Sequence, residues 1–185
     1  MVTMVTPLSA LPEPLFGTAS GAERTREAQA WALLADVPDP EIPVISVCEL
    51  GIIRAVRAEA GRVEVNVTPT YAGCPATEVI AADIRAALAA GGFSDITVNT
   101  VLSPPWTTDA ITAAGRAKLR AYGIAPPGPV TAATLQPVRF ASRSVQCPQC
   151  RSNDTERIAE FGSTPCKSLF RCRACGEPFD YFKPL

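Results

Sequence analysis

Four of the seven cysteines fall into two Cys-x-x-Cys pairs, Cys147-Pro148-Gln149-Cys150 and Cys172-Arg173-Ala174-Cys175. About twenty residues separate the pairs, a spacing at which two tight turns can each present two thiolates to one tetrahedral ion. Gly176 follows the second pair, where such a turn often needs a backbone that only glycine adopts freely. Four thiolate ligands leave no open position for a substrate, so Cys147, Cys150, Cys172 and Cys175 predict a structural zinc site. The same tetrahedron accepts iron, as in rubredoxin-like sites, and two disulfides are the other reading of the four sulfurs. A segment of about 45 residues hardly stabilises a core alone, whereas bound zinc supplies folding free energy of order 10 kcal/mol. Phe161, Phe170, Phe179, Tyr181 and Phe182 are expected to pack around that staple.

Cys74 stands apart, where a strand hands over to a helix with Pro75 at the expected first helical position. A thiol there lies near the positive end of the helix dipole, which favours thiolate. Two readings stay open: a reactive thiol or transient metal ligand, and a small buried hydrophobe. The turn Asp39-Pro40-Glu41-Ile42-Pro43 is equally double, a solvated connection or a source of two carboxylates for a pocket with Cys74. Paired carboxylates also suit acid-base catalysis, but no partner motif supports a hydrolase. Cys48 reads as core. Cys166 is left over once the tetrahedron is filled, and is expected to face the metal site or a partner.

The remaining composition excludes several chemistries. With no histidine in 185 residues, the chain cannot build a Ser-His or Cys-His pair, nor the Glu-x-x-His ligands of di-iron helices. A net charge of −1 provides no basic field for a phosphate backbone. From Arg143 onward there are 7 basic and 5 acidic side chains, too slight an excess to favour a nucleic-acid-binding ribbon. Residues 1–20 lack the charged start of a secretory signal, and no segment approaches the roughly 18 apolar residues of a membrane span. A cytoplasmic location is expected, and in that reducing compartment Cys-x-x-Cys pairs signify metal ligation more than disulfides.

Those residues need two modules to position them, which the chain length allows. Residues 1–20 read as a flexible tail, 21–124 as an α/β domain, 125–137 as a proline-rich linker and 138–185 as the four-cysteine ribbon. In the first module, a helix over 22–35 carries Trp31 and Leu34 at one-turn spacing. Strands over 50–57 and 62–68 form a hairpin, the second alternating Val63, Val65 and Val67. After Cys74-Pro75, Val79, Ile80, Ile84, Ala87 and Leu88 recur at helical spacing. Ile96, Val98 and Leu102 suggest a third strand, and Thr107 or Thr108 caps a last helix bearing Ile111, Leu119 and Tyr122. The expected fold class is α/β in the α+β sense: a small mixed three-stranded sheet with packed helices, followed by a zinc ribbon.

The segments Asp39-Pro40-Glu41-Ile42-Pro43, Glu49-Leu50-Gly51, Thr68-Pro69-Thr70 and Gly73-Cys74-Pro75 resemble the iron-sulfur assembly domain shared by SufT and the cytosolic iron-sulfur targeting factors, over about residues 25–125. Trp106-Thr107-Thr108-Asp109, Gly115-Arg116, Lys118-Leu119, Phe161-Gly162-Ser163-Thr164, Cys166-Lys167 and Phe179-Asp180-Tyr181-Phe182-Lys183 extend the likeness across both modules. Together they resemble the PaaD family, accessory proteins of the bacterial phenylacetyl-CoA epoxidase system. This resemblance implies a non-catalytic role in assembling or repairing the iron-sulfur or di-iron centres of a multicomponent monooxygenase in aerobic phenylacetate degradation. It implies that Cys74 is the functional thiol, a transient ligand of iron or an iron-sulfur cluster, with Asp39, Glu41 and Thr70 in its pocket. The oxygenase or reductase subunits are the implied partners, and a homodimer would let two Cys74 thiols share one site. A competing expectation is a scaffold that docks those subunits through the ribbon. The chain shows no histidine-carboxylate set, no Gly-rich dinucleotide loop and no ferredoxin cysteine pattern, so the epoxidation itself belongs elsewhere.

Overall fold

A computed structural model describes residues 21–59, 61–71, 73–128 and 145–185. The expected tail, most of the expected linker and the first residues of the expected ribbon lie outside the described residues. Helix α1 (Gly21–Ala35) buries Ala30 and Leu34, four residues apart on one face. Trp31, expected on that face, is 39% exposed, because the buried stripe runs from Ala30 through Leu34 into Val37. The hairpin forms from β1 (Ile53–Glu59) and β2 (Arg62–Val67), paired antiparallel with Val56 opposite Val65. Val63, Val65 and Val67 are all buried, as their alternation predicts.

Strand β1 begins later than expected because residues 46–52 are a turn. Ser46 and Glu49 cap it reciprocally: the Glu49 N–H donates to Ser46 Oγ at 3.2 Å and the Ser46 N–H to Glu49 Oε2 at 3.0 Å. That exchange is the chemistry of a capping box. Gly51 follows with φ 75°, and a Cβ on it would come within 2.3 Å of the Ala110 carbonyl oxygen. Glycine is required there both by backbone angle and by space.

Helix α2 (Thr77–Ala90) crosses from β2 to a parallel β3 (Asp95–Thr100), giving the sheet order β1-β2-β3. It buries Ile80, Ile84 and Leu88, whereas Val79 is exposed. Leu102 lies beyond β3 and is exposed, so it is not a strand residue. Neither Thr107 nor Thr108 caps the last long helix. Thr108–Ala110 is a separate 3-10 turn, and α3 (Ala113–Tyr122) is capped by Thr112, whose Oγ1 accepts the Gly115 N–H at 3.0 Å. Ile111 is buried just before the helix, Leu119 is buried within it and Tyr122 is exposed.

The second sheet has the order β4-β7-β6-β5, built from β4 (Ile124–Ala125), β5 (Thr155–Ala159), β6 (Lys167–Cys172) and β7 (Pro178–Phe182). Ala125, expected to open the linker, instead pairs in parallel with Tyr181 and is buried. The sheet is two-faced. On one side Phe170, Cys172, Phe179 and Ala125 form a small core with Val145 and Cys147. On the other, Lys167 pairs opposite Phe182 and Leu169 opposite Asp180, and Phe182 enters the large core of the α/β module together with Cys166 and Ile124. The fold is therefore the expected small mixed sheet with packed helices and a cysteine-rich ribbon, with the ribbon seated on the first module through one face of its sheet. Among the described residues no helix is long and apolar enough to cross a membrane.

Candidate functional site

The two Cys-x-x-Cys turns repeat one geometry. The Cys147 N–H donates to the Ser152 carbonyl and the Cys172 N–H to the Glu177 carbonyl, at 2.9 and 3.0 Å. In each turn the residue after the second cysteine donates back to the first: Arg151 to Cys147 at 3.0 Å, Gly176 to Cys172 at 2.9 Å. Both of those residues have left-handed backbones, with φ 64° for Arg151 and 81° for Gly176, as the glycine after the second pair suggested.

The turns bring all four Sγ atoms within 4.8 Å of one another. Cys147 and Cys175 approach to 3.8 Å, Cys150 and Cys172 to 3.5 Å. A tetrahedron with Zn–S of about 2.3 Å has edges of about 3.8 Å, so the sulfurs fit a zinc ion. All four are free of disulfides. Bound there, zinc would be saturated by protein ligands and would supply folding energy and a fixed loop geometry, with no position left for chemistry.

Cys74 lies in a different place. Its carbonyl accepts the Thr77 N–H at 3.3 Å and Thr77 Oγ1 at 2.9 Å, and α2 begins at Thr77. Pro75 thus sits in the tight turn before the helix rather than at its first position. The half-buried Cys74 thiol lines a cavity of ≈ 20 Å³ with Asp39, Glu41, Thr70, Cys166 and Phe182. That is room for about one water-sized body.

The acidic turn, open between two readings in the sequence, places both Asp39 and Glu41 in the lining of this cavity. Asp39 is 6% exposed, and its Oδ1 accepts the Glu41 and Ile42 N–H groups at 2.9 and 2.8 Å. Burial raises its pKa against the pull of those two bonds and of Lys167. Glu41 is raised by burial and by neighbouring Asp39.

Cys166 does not face the four-sulfur site. It is 5% exposed within the core of the α/β module, with its Sγ 3.0 Å from Thr164 Oγ1, and burial raises its thiol pKa. Phe182, expected around the zinc staple, packs in the same core and lies 6.1 Å from the Trp106 ring. Phe161, expected there too, is exposed beneath the Lys183 ammonium at 4.4 Å. Cys48 packs half-buried against the core, its thiol pushed up to about 11 by burial and by Glu49.

Lys167 escaped sequence reading. Its side chain is 4% exposed, 3.7 Å from Asp180, and its charge pulls down the pKa values of Asp39 and Glu41. The signal was present in β7, where Asp180 and Phe182 share a strand face opposite that of Phe179 and Tyr181. Three aromatics on both faces concealed it.

The Trp106 segment holds the modules together. Trp106 Nε1 donates to the Leu50 carbonyl at 3.1 Å, and the Thr108 N–H donates to the Leu185 carbonyl at 3.2 Å. Arg116 donates to the Thr108 and Pro127 carbonyls, each at 2.6 Å. Trp106 and Thr108, which extend the sequence likeness beyond the assembly domain, therefore lie at the junction with the ribbon.

Comparison with known proteins agrees with this division. Residues 27–100 match the family model of the iron-sulfur cluster assembly protein, and residues 132–183 match that of the PaaD zinc beta ribbon domain. The Fe-S protein maturation auxiliary factor YitW of Bacillus subtilis is 33% identical over 89 residues, 47% of this chain and 86% of that protein. The crystal structure of a domain of unknown function from Bacillus anthracis superposes with a TM-score of 0.51 at 27% identity, covering 53% of this chain and 94% of that one. Each match ends at about half of this chain's length. A 1,2-phenylacetyl-CoA epoxidase component of Escherichia coli K12 does not: it is 48% identical over 156 residues, 84% of this chain and 91% of its own length. An assembly module and a zinc ribbon joined in one chain, matched by a single relative across nearly its whole length, make this chain a member of the PaaD family.

Proposed function

We propose that the chain is an accessory factor, without a catalytic centre of its own, that handles iron or an iron-sulfur cluster during maturation of the metal centres of a phenylacetyl-CoA epoxidase. It acts in the cytoplasm on the oxygenase or reductase subunits. The working units are the α/β module for handling metal and the ribbon for zinc, with Ile124–Ala125 already paired into the ribbon sheet. The observation that carries this reading is the cavity that gathers Cys74 with Asp39, Glu41 and Thr70, in a chain whose relatives are named for epoxidase and for Fe-S maturation.

The donor set suits such cargo. A thiolate is a soft ligand and carboxylates are hard ones, and iron accepts both. Among the described residues, the four ribbon sulfurs are the one group of three or more such donors close enough to hold an ion. The donors around Cys74 do not make a closed cage, which favours release as well as capture. Zinc in the ribbon is saturated and permanent by contrast.

The test is maturation in cells. Epoxidase purified from cells carrying Cys74→Ser in place of the wild-type chain should hold less iron and lose activity in proportion. Full iron content and activity with Cys74→Ser would remove the thiol role. If ribbon deletion then abolished co-purification with the epoxidase subunits, a docking scaffold would take its place.

A further inference from the structure

The ribbon places one thiol where its own zinc cannot use it. Cys166 immediately precedes β6, yet its sulfur belongs to the core of the α/β module and lines the cavity of Cys74. The backbone around it is fixed from both sides. The Cys166 carbonyl accepts the Lys183 N–H at 3.0 Å and the Thr164 carbonyl accepts the Lys167 N–H at 3.0 Å.

We infer that Cys74 and Cys166 form a two-thiolate site for a single thiophilic divalent cation, completed by the ribbon of the same chain rather than by a second copy. This rests on the reading of Cys74 as a metal-handling thiol and identifies its partner. The cavity of ≈ 20 Å³ holds one ion with its ligands drawn in, and is too small for a cluster with its bridging sulfides. Two thiols bind a dication by releasing their protons to solvent, with no change of oxidation state, and the resulting neutral site suits an apolar wall of Ile42, Leu50 and Phe182. Asp39 Oδ1 is committed to the backbone. Glu41 borders both this cavity and a wider cleft of ≈ 600 Å³ on the ribbon side, so one acidic residue is shared by the two.

The probe is Co²⁺, added without oxygen to the full chain whose ribbon already holds one zinc, since four thiolates retain zinc against cobalt. The wild type is expected to bind one Co²⁺ with sulfur-to-cobalt charge-transfer absorption of two thiolates, unchanged on dilution. Cys74→Ser and Cys166→Ser should each lower that absorption by about half, because each removes one Co–S bond. The double variant should abolish it. Full intensity in Cys166→Ser with loss in Cys74→Ser would overturn the inference while leaving the maturation reading intact. Intensity that falls on dilution would assign the second sulfur to another copy, and no cobalt bound beyond the zinc would overturn the two-thiol site outright. Should Cys166→Ser and Cys166→Ala both shed the ribbon zinc, ¹¹³Cd NMR of the wild-type chain with zinc in the ribbon counts the sulfur ligands directly. A resonance with two sulfurs supports the site, and one with a single sulfur overturns it. Two-thiolate cobalt binding in a chain whose Cys74→Ser variant still matures the epoxidase fully would support the site and overturn the maturation reading alone.

Discussion

At the knuckles of the ribbon, four sulfurs lie within 4.8 Å of one another on backbones that hydrogen-bond identically in both turns. In the cavity of the first module, Cys74 and Cys166 share a wall with Asp39 and Glu41, but those donors do not converge to that closeness. One site has the dimensions of its ion and a full set of four ligands, and it keeps what it binds. The other has room, donors of two kinds and unfinished coordination, which is what a site needs if it must give its cargo up. The contrast also shows that the ribbon serves both: its knuckle face holds zinc and its opposite face delivers Phe182 to the core around the second site.

Removing zinc tests that dual service with the largest effect. Chelation should cost the ribbon folding free energy of order 10 kcal/mol, visible as lost β signal in circular dichroism. Because Phe182 is 1% exposed in the core of the other module, its withdrawal should also destabilise that module by about 3–5 kcal/mol, the usual cost of emptying a buried phenylalanine site. An unchanged melting transition for the α/β module after chelation would break the comparison, since the two sites would then be independent.

Asp39→Ala comes next. It leaves the Glu41 and Ile42 N–H groups without their acceptor, and each costs about 1–3 kcal/mol when stranded in the interior. A loss of about 2–4 kcal/mol in denaturant unfolding is expected. Asp39→Asn keeps the acceptor and removes the charge, so it separates the turn from the titration. Burial holds the Asp39 pKa above its ordinary 3.8, so folding takes up a proton in the window just above that value. The stabilisation is complete below 3.8 and fades as pH rises through the raised pKa. In Asp39→Asn that part of the pH dependence should vanish. A wild-type stability that instead climbs over this window, by an amount the Asn variant abolishes, would show that the two N–H bonds and Lys167 outweigh burial.

At the knuckles the corresponding change is smaller. Gly176 has φ 81° and open space where a side chain would project, so Gly176→Ala meets a backbone cost alone, about 1 kcal/mol. Arg151 bears the same conformation with a side chain already in place, which sets the scale of strain the metal can hold. Zinc-competition titration should show weaker retention in Gly176→Ala. Unchanged retention would mean that the ion, not the turn, dictates the geometry.

The knuckles were legible in the sequence because their information is local: four cysteines, two spacings and one glycine. The hairpin was legible through the alternation of Val63, Val65 and Val67, and α2 through its repeat. What escaped was tertiary. Nothing within a turn of Trp31 says that the core continues toward Val37, and nothing beside Thr108 says that the close approach of Ala110 to Gly51 diverts the chain into a 3-10 turn before Thr112 can cap a helix. The carboxylates of Asp39 and Glu41 could be read two ways because their burial depends on residues far along the chain. Cys166, left over once the tetrahedron is filled, is expected to face the metal site or a partner, and it packs in the core of the first module. That burial depends on which face of a strand pair the ribbon turns toward the first module, and a count of ligands contains no such information.

The smallest effect on stability is expected at the residue with the largest proposed role. The Cys74 backbone anchors the entry to α2 through its carbonyl, which accepts from Thr77 N–H and Oγ1, and Cys74→Ser leaves that carbonyl in place. The thiol is half-buried where it packs against the core, so its exchange for a hydroxyl should shift unfolding free energy by about 1 kcal/mol or less. Cys147→Ser is the matched control, since it removes one of four converging sulfurs and should cost the ribbon its zinc. A stable Cys74→Ser chain that still retains one zinc yet fails to support the epoxidase separates cargo from scaffold in one measurement. If Cys74→Ser instead melted as early as Cys147→Ser, the Cys74 sulfur would be a packing group, and the difference between a site that keeps its metal and one that passes it on would disappear.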